Sequence, residues 1–167
     1  MFMASSGDLI TLFIGLELLT ISSWILAGIA KRNKTSNESS MKYVINGGVS
    51  TAITLFGFSY IYGLTGTTNI KGMTSTLMTM GGSQQHLYLL GLAFFLTFVG
   101  LSFKLATAPF HMWAPDVYEG APTPVTAFLS VVSKTAGFVI VVRIFVAIFG
   151  SVPSSGAADA LPLLLHL

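Results

Sequence analysis

LITLFIGLELLTISSWILAGIA, residues 9 to 30, decides the fold: its 22 residues carry one charged side chain, Glu17. About 20 predominantly apolar residues suffice for a helix to cross a bilayer. Three further segments qualify, at 41–64, 86–108 and 124–150. The second has no charge after Lys42, the third carries Lys104 near its far end, and the fourth contains Lys134 and Arg143. The whole chain agrees. Of its 167 residues 53% are hydrophobic and 8% charged, where soluble domains carry about 25% charged, and its mean hydropathy is +0.79. The sequence predicts an all-α polytopic transmembrane helix bundle.

Composition also excludes function classes. A net charge of +2, with no basic run interleaved with aromatics, does not fit a nucleic-acid partner. The chain has no cysteine, hence no disulfide framework, thiolate metal site, cysteine-held iron–sulfur cluster or thiol catalysis. His86, His111 and His166 show no metal-ligand spacing, and no phosphate loop or dinucleotide fingerprint occurs. Gly47-Gly48 lies inside an apolar segment, and Gly81-Gly82 is not followed by Lys-Ser/Thr.

The connections differ in character. KRNKTSNESSMK, residues 31 to 42, is a polar loop with four basic residues, which the positive-inside rule assigns to the cytoplasmic side. The Thr/Gly-rich stretch from Thr65 to Gln85 carries only Lys71 and reads as an irregular loop, with room for one interfacial turn, on the opposite side. PFHMWAPDVYEGAPTP, residues 109 to 124, holds four of the six prolines. Asp116 and Glu119 are three apart, so one helical turn would bring them together. Residues 161–167 resemble the start of another apolar helix. Met1 comes almost directly before the first segment, with neither the basic region nor the cleavage site of a signal peptide. Both ends read as those of a piece of a longer polytopic protein.

A charge near mid-membrane costs roughly 2.5–3.5 kcal/mol on insertion scales. Glu17 and Lys134 lie at that depth, and Lys104 joins them if residues 110–118 continue as a second short helical piece. Three such charges must be paired or hydrated. The faces that carry the lysines are made of small and hydroxylated residues: Ala93, Thr97 and Gly100 lead to Lys104, while Thr126, Ser130 and Gly137 flank Lys134. The second segment has a matching stripe through Gly47, Ser50, Thr51, Thr54 and Gly57. Such stripes mark close helix packing or a wet cavity. A long basic side chain can instead snorkel to the interface, which is the reading for Arg143 and a competitor for Lys104. For Glu17, Lys104 and Lys134 together, a buried ionisable chain that moves protons or cations is the better account. Desolvation disfavours an ammonium and a nearby carboxylate favours it, so a movable charge could load and unload the proton.

Pro109 removes a backbone donor five residues after Lys104. It either interrupts the helix at membrane depth, leaving carbonyls that must face protein or water, or ends it at the interface. His111, next but one to Trp113, fits an interfacial belt and a proton path equally well.

The run GLSFKLATAPFHMWAPDVYEGAPTPVTAFLSVVSKTAGFVIVVRIF, residues 100 to 145, closely resembles the antiporter-like membrane subunit N of respiratory complex I, the proton-pumping NADH:quinone oxidoreductase. LFIGLELLTISSWILAG, residues 12 to 28, is similar to that family's glutamate helix, and MKYVINGGVSTAITLFGFSYIYGLTGTT to its next segment. Related subunits L and M and the monovalent-cation/proton antiporters share the Pro-His-Trp and Pro-Thr-Pro-Val skeleton but differ around DVYEG and Ser133-Lys134. The resemblance implies roughly the fifth to eighth helices of a protein about three times longer, half of an antiporter-type repeat with one broken helix at Pro109. By position it implies that Glu17, Lys104 and Lys134 are the proton-translocating residues. It also implies no cofactor in this chain, with NAD, FMN, iron–sulfur clusters and quinone on other subunits. The partners would be antiporter-like and small membrane subunits, together with the lipid bilayer. The membrane implied is that of a bacterial cell, with the mitochondrial inner membrane or the thylakoid as alternatives.

Overall fold

Helix α1, Leu9–Ala27, begins where Asp8 caps it. The Asp8 carboxylate accepts hydrogen bonds from the N–H groups of Ile10 at 2.8 Å and Thr11 at 3.3 Å, satisfying two of the four donors that every helix start leaves orphaned. The computed structural model describes residues 5–79 and 84–149, so the apolar stretch at 161–167 lies outside the described residues. The first helix ends three residues earlier than expected. Gly28 packs against Ser40, and the hydroxyls of Ser36 and Ser40 donate to the last carbonyls of α1, those of Ala27 and Trp24, at 2.7 and 3.0 Å.

Helix α2, Lys34–Thr65, starts seven residues before the expected Met41. The polar run hides a good helix start: the Asn33 side chain accepts from Thr35 N at 3.1 Å, and Glu38 pairs with Lys42 one turn later at 2.9 Å. At 1.5 Å per residue, 32 residues reach about 48 Å, against about 30 Å of hydrocarbon. The polar first turns therefore project beyond the apolar layer. The helix ends at Gly66, whose left-handed conformation (φ 67°) suits glycine.

The Thr65–Gln85 segment is not an irregular loop. It contains helix α3, Ile70–Thr79, with Ile70, Met73 and Leu77 buried. Gly72 and a run of threonines and serines mask an i, i+3, i+7 apolar pattern, and the Asn69 side chain caps the start by accepting from Lys71 N at 3.0 Å and Gly72 N at 3.3 Å. Helix α4, Gln84–Leu105, stops three residues short of Ala108. After turns through 106–112, helix α5, Trp113–Gly120, begins later than the expected 110. Pro115 fits in its first turn, where no intrahelical donor is needed. Helix α6, Thr123–Ile144, passes into a π-helical turn, Phe145–Phe149, rather than continuing as one α-helix. Thr74 of α3 donates to the carbonyl of Ala147 within that turn at 2.6 Å.

Among the described residues four helices, α1, α2, α4 and α6, are long and apolar enough to span a bilayer. Large apolar side chains such as Leu18, Ile25, Val131 and Val146 lie more than 60% exposed on their outer faces, as lipid permits and water does not. Inside, α2 and α4 meet along their small-residue stripes, so closely that a Cβ on Gly57 would lie 2.8 Å from the backbone nitrogen of Thr97. Two apolar clusters result. One is aliphatic and gathers Leu12, Leu16, Ile61, Met73, Ile140 and Ile144 near the end that carries α3. The other is aromatic and gathers Tyr43, Trp113, Val117 and Leu129 near the end that carries α5. In chain order Glu17, Ser50, Thr51, Thr54, Lys104 and Lys134 all fall between members of the two clusters.

Candidate functional site

The end of α4 explains the site. In a continuous helix the N–H of residue 109 would bond the carbonyl of Leu105, and Pro109 has no N–H. The helix stops there, with Ala106 in the left-handed region (φ 54°) and a cis Ala108–Pro109 bond. Its last carbonyls all find donors. Ser102 accepts from Thr107 N at 3.1 Å; Phe103 accepts from Ala106 N at 3.0 Å and from the Trp113 indole at 3.0 Å. The carbonyl of Leu105 accepts from Lys134 Nζ at 2.7 Å, and that of Lys104 from the same ammonium at 3.5 Å. Lys134 also lies over the Trp113 ring, 4.9 Å from its centroid. The fourth spanning helix thus reaches across to cap the broken one, and a cation there also complements the negative end of the α4 dipole.

Lys104 sits in the last turn of α4, partly buried. Its ammonium donates to Thr20 Oγ1 at 2.9 Å, and Thr20 in turn donates to the carbonyl of Leu16 at 2.7 Å. Glu17, one turn earlier on α1, accepts from Thr51 Oγ1 at 2.9 Å. Among the described residues Glu17 and Lys104 form no ion pair; each meets a threonine instead. A small cavity, about 20 Å³ measured as space open to the centre of a water molecule, is lined by Thr20, Tyr43, Ser50, Thr51, Lys104 and Trp113 among others. That volume suits roughly one water, and its walls offer polar partners.

The remaining sequence-derived candidates are placed differently. His111 lies in the break between α4 and α5, exposed and outside the lysine cluster. Asp116 and Glu119 share α5, but Asp116 turns to Lys42 at 2.8 Å, joining α5 to the projecting turns of α2. Gly120 brings the same two helices together, since a Cβ on it would lie 2.6 Å from the carbonyl of Thr35. Arg143 is partly buried in the last turn of α6. Among the described residues no three His, Asp or Glu side chains gather into a metal-binding group.

Thr20 and Trp113 carry functional geometry that the sequence did not single out. Thr20 lies one turn after Glu17, and that spacing was the available signal. Trp113 stacks on Tyr43 (4.7 Å, 8°) and on Phe103 (5.9 Å, 18°), contacts between residues distant in sequence that no local pattern marks.

Residues 6–161 match the family model described as NADH:quinone oxidoreductase/Mrp antiporter, TM, and the chain belongs to that family. It is 67% identical over 156 residues to the NADH-quinone oxidoreductase subunit N of Geobacillus sp. (strain WCH70), covering 93% of this chain and 32% of that protein. The chain thus spans about a third of the length of such relatives, and the N-type resemblance read from DVYEG and Ser133-Lys134 is borne out. Among solved structures it is similar to a chain of respiratory complex I from Thermus thermophilus with bound aureothin (33% identity, TM-score 0.72, covering 97% of this chain and 34% of that one). It is also similar to a chain of the Mrp complex from Dietzia sp. DQ12-45-1b (27% identity, TM-score 0.71, covering 86% of this chain and 26% of that one). With four spanning-length helices and bacterial relatives, it is a multi-pass protein of the bacterial cell membrane.

Proposed function

We propose that membership in this family reflects work in proton translocation: the chain is part of an antiporter-like subunit of NADH:quinone oxidoreductase, with Glu17, Lys104 and Lys134 as its proton-handling residues. The observation that carries this reading is the meeting of two lysines at one helix break, where Lys134 bonds the backbone carbonyls of Lys104 and Leu105. Two lysines that share one helix end in an apolar bundle disfavour each other's charge, which suits the pair to exchanging a proton. The cavity beside Lys104 offers room for a water at that lysine, and Glu17 supplies the compensating negative charge one turn from Thr20. Pro109 serves by opening the backbone at this level; His111 is exposed in the break, outside the lysine cluster. Electrons pass elsewhere in this reading, with NAD, FMN, iron–sulfur clusters and quinone held by other subunits. The partners are the neighbouring antiporter-like and small membrane subunits.

The test is Lys104→Arg in the full-length protein within the assembled complex. Guanidinium keeps the charge and the reach but does not release its proton near neutral pH. Pumping and coupled quinone reduction should fall, whereas Arg143→Lys should be mild. Near-normal turnover in assembled Lys104→Arg would reject the proton-station role. A monovalent-cation/proton antiporter is the second reading, favoured by the likeness to the Mrp chain. It requires transport to depend on sodium or potassium, which the respiratory reading does not.

A further inference from the structure

The ammonium of Lys134 is held by three groups, of which the relay uses only two. The carbonyls of Leu105 and Lys104 take its N–H bonds, while the indole of Trp113 lies 4.9 Å away and offers only its π-face. That indole is fixed with unusual completeness. It is 4% exposed, its N–H is committed to the Phe103 carbonyl at 3.0 Å, Tyr43 and Phe103 stack on it, and Tyr118 meets it edge-on at 6.3 Å. A ring locked on the first residue of α5 and bonded to the end of α4 cannot follow a moving lysine. The lysine must come to the ring.

We infer that Trp113 is a positioning residue for the proton relay: its π-face, with the two carbonyls at the end of α4, forms a fixed cradle that holds Lys134 in its charged form beside Lys104. The inference rests on the proton-station reading of Lys134 and adds the group that decides where the loaded station sits. A cation over indole is attracted by the ring quadrupole, more strongly in a desolvated site than in an exposed one. The carbonyls and the negative end of the α4 dipole already favour an ammonium, but they would still accept from a neutral amine. The π-face attracts the cation far more than a neutral amine, so it sharpens the distinction between loaded and unloaded. Trp24, the other tryptophan here, packs on Gly47 and meets Tyr43 edge-on at 6.4 Å, whereas the ring under Lys134 is that of Trp113.

The experiment replaces Trp113, in the full-length protein within the assembled complex, by a series of increasingly fluorinated tryptophans introduced at that codon. Fluorine drains electron density from the π-face while leaving shape and the indole N–H nearly unchanged. Proton pumping in proteoliposomes should decline steadily along the series, reaching about tenfold with the most fluorinated ring, with assembly unaltered. The same series at Trp24 should have no effect. A flat series at Trp113, or an equal decline at Trp24, overturns the inference. Lys134→Ala in the same assay separates the two claims. If it abolishes pumping while the Trp113 series is flat, the station stands and the cradle falls. If Lys134→Ala pumps normally, the station reading fails and the cradle with it.

Discussion

Lys104 and Lys134 flank the same helix end, and the surroundings of the two ammonium groups are unlike. Lys104 has one hydroxyl partner, Thr20, and a cavity beside it. Lys134 has two backbone carbonyls and an indole face. A hydroxyl can accept from an ammonium and, by giving up its bond to the Leu16 carbonyl, can donate to a neutral amine, so the Lys104 pocket accommodates either protonation state. The acceptors around Lys134 favour one state and also depend on the lysine structurally, because without it two carbonyls at the break lose their donor. One lysine is a residue in a pocket, whereas the other is part of the backbone's hydrogen-bond economy.

The sharpest way to break this comparison is to remove each lysine in turn. Both Lys104→Ala and Lys134→Ala should lose most proton pumping in the assembled complex. Stability should separate them. Lys134→Ala leaves the Leu105 carbonyl without its donor, and an unsatisfied buried group costs about 1–3 kcal/mol, whereas Lys104→Ala leaves Thr20 still bonded to Leu16. Thermal unfolding, together with hydrogen exchange at residues 106–112, should show a loss only for Lys134→Ala. Equal losses would mean that Lys134 does not hold the break together.

A finer test replaces the hydroxyl that receives Lys104. Thr20→Val keeps the shape and removes the acceptor; a hydrogen bond to a charged group is worth about 1.5–3 kcal/mol. Pumping should fall roughly tenfold or more at nearly unchanged stability, and Thr20→Ser should recover most of it. If Thr20→Val pumps normally, Lys104 is placed by its helix alone and the contrast between the two sites weakens.

What the sequence disclosed, and what it withheld, follows from the range of the interactions. The spanning helices were legible because some twenty apolar residues in a row leave few alternatives. Glu17, Lys104 and Lys134 stood out because charge at that depth is costly. The meeting of Lys134 with the Leu105 carbonyl was not legible, since it joins a side chain to a backbone group 29 positions away. Nor was the early end of α4. Pro109 announced a break, but where the chain turned depended on which freed carbonyls found donors, and Lys134 and Trp113 supply those from α6 and α5. Helix α3 was missed because its glycine and hydroxyl-bearing residues have low helix propensity, while its three buried apolar residues find their partners only in the fold. The early start of α2 is hidden by its polar composition, although Asn33 and the Glu38–Lys42 pair are local helix signals.

The smallest expected effect lies at the opposite end of the bundle, and it shows by contrast what a solvated charge does. Asp8 caps α1 and also accepts from the Thr68 hydroxyl at 2.6 Å, clasping α1 to the start of α3, where Leu9 N bonds Thr68 O and Ile70 N bonds Gly7 O. The Thr68 hydrogen bond, helped by the N–H groups of Ile10 and Thr11, holds the Asp8 carboxyl below its ordinary value. With a folded-state pKa below the unfolded one, its contribution is fully present above about pH 4 and is lost as pH falls through the folded value. Near neutral pH it therefore adds no pH dependence. Asp8→Asn, which can still cap the helix, should change stability little at pH 7, while Asp8→Ala should cost about 1 kcal/mol. Unfolding of the purified protein at pH 7 and at pH 3 measures both: the difference between parent and Asp8→Asn should narrow or vanish at the lower pH. A parent–Asn difference that grew on acidification would show that the carboxylate is not what fastens this end, and proton-linked behaviour would no longer be confined to the lysine layer.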